Sequence, residues 1–269
     1  MKKRVVKFVK STRDKIRRYF GVTFDERKVL IFAAVFVGAF LIILAAGFAI
    51  FKDRGDFYVE PKLFDYGEIK GDIFADVSDD HPNVYALAYL KSYGIIQGYD
   101  DNSFHPDEPM TRAAFMKMLT GAFRKHPHKL HYSSCYSDVT NEWFASYVCY
   151  GKVQGWLEGV GTVEGEEELF MPEKNITRAD ALRILMQAFE IEPFHLEDSS
   201  VQPNFDELAL KYNDVVFEDW YIPYLLIAEE NKWFVGLVDE NQFGADKEMT
   251  RAEIGELLFR VIVTTLPVY

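Results

Sequence analysis

The sequence predicts an all-α fold: three helical units in tandem, preceded by one membrane-spanning helix. Three observations predict it. Residues 29–51 read VLIFAAVFVGAFLIILAAGFAIF and contain no charged residue. The tripeptide Thr-Arg-Ala occurs three times, beginning at Thr111, Thr177 and Thr250. The same spacing of apolar residues follows each copy. Internal repetition is weighed first, because it decides architecture ahead of local propensity.

The apolar run comes first in the chain. At ~1.5 Å rise per residue, Val29–Phe51 reaches about 34 Å as a helix, enough for a hydrocarbon core of ~30 Å. It is longer than a charge-free core helix and longer than the ~7–15-residue apolar stretch of a signal peptide, so it reads as an uncleaved anchor. Residues 1–28 form a basic tail with eleven Lys/Arg against three acids, which places that tail in the cytoplasm. Residues 52–269 hold nineteen against thirty-nine, so the net charge of −12 divides into +8 and −20. The expected location is therefore the cytoplasmic membrane, single-pass, with the N-terminus inside and the acidic part facing the cell wall. So acidic a surface repels phosphates and excludes nucleic acid as a partner.

Cys135 and Cys149 fall in the part expected outside, where an oxidising environment favours a disulfide between them. Closing so short a loop stabilises by about 3 kcal/mol on chain entropy. No further Cys or His stands at finger-like spacing, so no metal or cofactor is expected.

The repeats contain more than a tripeptide. Seven positions before each Thr stands Phe104, Phe170 or Phe243, and FADV (74–77), YSDV (136–139) and YNDV (212–215) open the units. Behind each Thr, apolar residues recur at offsets 4, 7, 8, 11 and 12: Phe115 to Phe123, Ala181 to Phe189, and Ile254 to Ile262. That spacing is one stripe of an amphipathic helix. The chain thus divides into a linker at 52–73 and units at 74–130, 131–195 and 196–269, the last two joined by an acidic stretch with Pro193 and Pro203.

Thr is a good N-cap, and an acid three residues later completes a capping box. Thr250 with Glu253 fits fully, Thr177 with Asp180 less well, and Thr111 faces Ala114 instead. Capping does not ask for Arg112, Arg178 and Arg251 at the first helical position, where a cation opposes the helix dipole. Two tasks fit them: an anion shared with helix N-terminal amides, or a bond to a neighbouring carboxylate.

A second helix precedes each of these, over about 83–93 in the first unit and beginning at Trp143 and Trp220 in the others. Each ends in an apolar turn closed by glycine, GIIQG (94–98), GWLEG (155–159) or KWFVG (232–236). DDNSF (100–104) lacks the remaining ligands of a calcium loop and reads as a polar turn.

The order Phe-x-Asp-Val, Trp, helix, Gly-Ile-Ile-x-Gly-Tyr, turn, Phe-x-Pro, Thr-Arg-Ala-Glu, helix resembles the S-layer homology (SLH) domain, here in three copies from 74 to about 263. The resemblance implies an α-helical pseudo-trimer, with a central bundle and projecting prongs. It also implies non-covalent binding of an anionic, pyruvylated secondary cell-wall polysaccharide in grooves between neighbouring repeats. Carried over, it assigns Arg112, Arg178 and Arg251 to the anion and Trp143 and Trp220 to the sugar. Gly98, Gly159 and Gly236 would give close backbone approach.

The first unit departs most, with Pro82-Asn83 for Trp-Ala and Ala114 for Glu. The third has Lys232 for the first Gly, and the second carries an insertion, VGTVEGEEEL (160–169). On these grounds Arg178 and Arg251 rank above Arg112 for binding. The function implied is a membrane-anchored tether between membrane and wall or surface layer. The alternative keeps the fold as a protein–protein assembly module without glycan. Six histidines show no triad or ligand spacing, so no enzyme is expected.

Overall fold

Apolar stripes at helical spacing bury themselves only by packing against one another, and the chain does this in a closed ring. The computed structural model describes residues 73–128, 131–164, 167–195 and 201–265, all within one compact unit over 57–269. The described residues form seven helices: α1 Val84–Ser92, α2 Arg112–Ala122, α3 Ala145–Val153, α4 Arg178–Ala188, α5 Val201–Lys211, α6 Ile222–Glu230 and α7 Arg251–Thr265. A two-stranded ribbon, β1 Thr162–Glu164 and β2 Glu167–Leu169, lies between α3 and α4.

Two expectations are corrected here. Among the described residues no helix is long and apolar enough to cross a membrane. The expected span Val29–Phe51 lies outside those residues, as do the basic tail and the linker to residue 72, so the structure gives no support to the transmembrane helix or the single-pass location. The fold is also largely helical rather than all-α. The 160–169 insertion pairs with itself, antiparallel, with Thr162 opposite Leu169 and Glu164 opposite Glu167. The stretch read as a connection at 190–211 likewise contains helix α5. Its Leu208 is buried and Phe205 meets Phe217 edge-on at 5.0 Å, an apolar spacing passed over because of Pro203. Proline in a first helical turn removes only an N–H that had no intrahelical partner.

The three Thr-Arg-Ala helices, α2, α4 and α7, turn their stripes inward. Phe115, Leu119, Ala181, Leu185, Ile254 and Leu258 are all fully buried. Each packs on the first helix of the next unit rather than its own: α2 on α3, α4 on α6, and α7 back on α1. The exchange closes into a circle.

Backbone hydrogen bonds close the same circle. Met110 N–H donates to Met249 C=O at 3.0 Å, Met249 N–H to Ile176 C=O at 3.0 Å, and Ile176 N–H to Met110 C=O at 2.8 Å. The three residues before the capping threonines thus form a hydrogen-bonded triangle on a pseudo-threefold axis. Unpaired backbone groups are costly when buried, and here each donor and acceptor is supplied by a neighbour.

Within each unit the Asp of the Asp-Val opening fixes the loop that carries the Phe. Asp76 accepts from Phe104 and His105 N–H at 2.7 Å each. Asp138 does the same for Phe170 and Met171, and Asp214 for Phe243 and Gly244. The second residue of each pair is left-handed, with φ of 58° at His105, 56° at Met171 and 62° at Gly244. Two amides converging on one carboxylate over-determine a conformation that His and Met otherwise disfavour.

Cys135 and Cys149 form a disulfide with Cα atoms 5.4 Å apart, pinning the segment before the second unit to α3.

Candidate carbohydrate groove

The first question for the site is what the three arginines touch. Arg112 donates from Nη1 to Phe170 C=O at 3.0 Å and from Nη2 to Asp180. Arg178 donates to Phe243 C=O and Leu237 C=O at 2.6 Å each. Arg251 donates from Nε to Phe104 C=O at 2.7 Å. Each therefore reaches the Phe loop of the next unit around the ring. Arg112 and Arg178 are 3% and 1% exposed, whereas Arg251 is only partly buried. Burial lowers the Arg178 pKa from its ordinary value, and the charges of Glu253 and Asp239 oppose that shift.

The helix N-termini are occupied as well. The N–H groups of Arg112 and Ala113 donate to Lys174 and Pro172 C=O, those of Arg178 and Ala179 to Lys247 and Ala245, and those of Arg251 and Ala252 to Glu108 and Pro106. The capping threonines Thr111, Thr177 and Thr250 accept from Ala114, Asp180 and Glu253 N–H. Only Glu253 returns a bond, from Thr250 N–H at 2.8 Å. These amides are the cement between units and are not free for an anion. Of the two tasks open for the arginines, the structure gives Arg112 a carboxylate and Arg178 carbonyls.

Arg251 differs because of one residue. The position that holds Asp180 against Arg112 holds Ala114 against Arg251. Among the described residues Arg251 has no carboxylate partner, and only its Nε is seen donating, to Phe104 C=O. Its guanidinium carbon lies 5.3 Å from the Tyr99 ring centre and 4.7 Å from that of Phe104.

That guanidinium lines a groove of about 600 Å³ between the first two units. Gly98 and Tyr99 form one wall, Trp143 and Tyr147 of the second unit form the other, and α2 supplies the floor through Thr111, Ala114 and Lys117. Trp143 and Tyr99 are each 51% exposed, a large aromatic area left in water. Gly98 is required by contact: a Cβ there would stand 2.5 Å from Ser103 O and 2.9 Å from the Phe74 ring. Lys117, Lys125, His126 and Arg251 line the groove with one acid, Glu108. His105 bonds Glu108 at 2.7 Å, and that bond raises the imidazole pKa above its usual 6.5 against a small effect of burial. The groove is thus locally cationic within an acidic protein.

The other expected residues lie apart from it. Trp220 and Gly159 sit at the corresponding place between the second and third units, and Gly236 between the third and first, where Pro82 stands in the Trp position. The sequence ranks Arg178 and Arg251 above Arg112; in the structure Arg112 and Arg178 are both buried against protein partners, and Arg251 is partly exposed. Each groove takes its aromatic residue from the neighbouring unit, so the missing Trp at Pro82-Asn83 falls at the third groove and not the first. The missing acid at Ala114 is what leaves Arg251 unpaired. Sequence reasoning missed Tyr99 and Lys117, although Tyr99 follows Gly98 directly and Lys117 lies on the outer face of α2. Asp101 accepts from Ser103 N–H at 2.9 Å, so DDNSF is a self-bonded polar turn.

Residues 73–116 match the S-layer homology domain family. The chain is 25% identical over 172 residues to a cellulosome-anchoring protein of Acetivibrio thermocellus, covering 62% of this chain and 34% of that protein. It is 25% identical over 181 residues to cell surface glycoprotein 1 of the same organism, covering 65% and 8%. It is 28% identical over 123 residues to S-layer protein EA1 of Bacillus anthracis, covering 45% and 14%. The chain spans about a third or less of the length of these relatives.

Proposed function

We propose that residues 74–130, 131–195 and 196–269 are three SLH repeats forming one non-catalytic surface module, which associates with the cell wall or surface layer by holding an acidic sugar in the first groove. The SLH match and the names of the relatives support a surface module of this kind. The observation that carries the groove assignment is the Arg251 guanidinium, without a carboxylate partner among the described residues, beside two half-exposed aromatic rings.

An aromatic face suits the C–H face of a pyranose, and a guanidinium presents paired donors to a carboxylate such as a pyruvyl group. Gly98 lines the groove with backbone alone, its missing Cβ being required by Ser103 and Phe74. Lys117 and Lys125 add charge, and solvent screening beyond ~8 Å limits repulsion from the acidic remainder. Of the expected set, Gly98, Trp143 and Arg251 contact the sugar in this reading, while Arg112 and Arg178 hold the units together.

Co-sedimentation of the full chain with purified wall tests it. Native wall pellets the protein, and wall stripped of pyruvyl groups or the Trp143→Ala variant leaves it in the supernatant. Equal pelleting with native and stripped wall contradicts the reading and favours protein-mediated association.

A further inference from the structure

The three grooves share one plan, yet side chains of this protein fill two of them. Two positions on each Thr-Arg-Ala helix make the difference. In the first groove they are Ala114 and Lys117, in the second Asp180 and Arg183, and in the third Glu253 and Glu256.

In the second groove the guanidinium carbon of Arg183 lies 3.5 Å from the centre of the Trp220 ring. Its Nη1 donates to Gly159 C=O at 2.5 Å and would stand 2.5 Å from a Cβ at Gly159. Arg183 therefore stacks on one face of Trp220, whose ring is still 44% exposed, and spans to the glycine rim, whereas no side chain stacks as closely on Trp143. There the Lys117 ammonium is 5.8 Å from the Trp143 ring. Arg183 Nε is buried without a partner, a cost that holding the groove shut entails. Asp180 meanwhile occupies Arg112, the counterpart of Arg251. The third groove is closed differently: Arg260 bonds Glu256 at 2.7 Å and the Val235 carbonyl at 2.6 Å, and no Trp stands opposite.

We propose that the second groove is a latent site for the same class of acidic sugar, held shut by Arg183 and Asp180, so that the chain binds one sugar unit at a time. The proposal rests on the first-groove reading for its ligand class. It makes Arg183 an internal competitor, whose guanidinium occupies the Trp220 face as a sugar would.

Exchanging the two positions tests it. Asp180→Ala with Arg183→Lys gives the second groove the residues of the first. The probe is a methyl glycoside carrying a pyruvyl ketal, titrated calorimetrically into the full chain. The expected stoichiometry is one for the unaltered chain and two for the double variant. One for both overturns the proposal while leaving the first-groove reading intact, and two for the unaltered chain also overturns it. No binding by the unaltered chain defeats the first-groove reading alone, and then one site in the double variant supports the latent site and none overturns it. If the double variant fails to fold, Arg183→Ala is read optically in a Trp143→Phe background. Trp156 and Trp233 are buried, so acrylamide quenching there reports Trp220. A rise in quenching supports the plug, and no rise overturns it.

Discussion

Arg178→Ala removes the most completely enclosed cation in the ring. Its two bonds, to Phe243 and Leu237 carbonyls at 2.6 Å, join the second unit to the third, and the residue is 1% exposed. Truncation leaves two buried carbonyls unsatisfied at about 1–3 kcal/mol each and opens a cavity. Relief of the desolvated charge offsets part of that. A net loss near 3 kcal/mol follows, equivalent to roughly 6–12 °C in Tm for a unit of this size. Arg251→Ala deletes one bond from a partly exposed group, worth about 1 kcal/mol, and lowers Tm by about 2–4 °C. Thermal denaturation of the full chain followed by circular dichroism separates the two. An Arg178→Ala transition within about 1 °C of wild type, or an equal fall in both variants, refutes the ring as the source of stability.

Three further outcomes follow from the same contacts. Burial opposes ionisation of Asp76, but the His105 and Phe104 amides outweigh it and hold its pKa below the ordinary 3.8. A depressed carboxylate stabilises above its unfolded pKa and loses that contribution as pH falls through the folded value, so Asp76→Asn flattens the acid limb of a urea-midpoint profile below about pH 4. Cys135→Ser with Cys149→Ser opens the bridge across a sequence separation of 14 and costs about 3 kcal/mol in urea unfolding; a loss under 1 kcal/mol places its role elsewhere. The raised pKa of His105 keeps it charged beside Glu108 through its ordinary 6.5, so affinity for an acidic sugar falls as pH rises past that raised value, and His105→Ala removes the step.

The periodic parts of the fold were legible in the sequence, because burial imposes the spacing directly. The stripes from Phe115, Ala181 and Ile254 each mark one buried helix face. The cysteine pair was legible because the sequence holds two cysteines, 14 positions apart. Helix α5 was not, since Pro203 and the six acids of residues 190–207 outweigh the few apolar residues that anchor it. The ribbon was not either, because half of the residues in β1 and β2 are glutamates and the strands are held by mutual pairing. The apolar run at 29–51 led to a membrane assignment that no described helix supports.

The site was legible by residue type but not by partnership. Three Thr-Arg-Ala copies look equivalent along the chain, whereas the arginines reach around a ring. Arg112 meets Asp180 across 68 positions, and Arg251 meets Phe104 across 147. Ala114 reads locally as a lost capping acid. In space it is the vacancy that frees Arg251. No pattern within one repeat carries that information.

Equilibrium binding of the Arg251→Ala full chain to purified pyruvylated wall polysaccharide is the most direct test of the central claim. Loss of one charge-assisted contact, about 1.5–3 kcal/mol, predicts roughly ten- to hundredfold weaker binding by a protein that remains folded at the assay temperature. Binding within about twofold of wild type would contradict the assignment of Arg251 and the first groove.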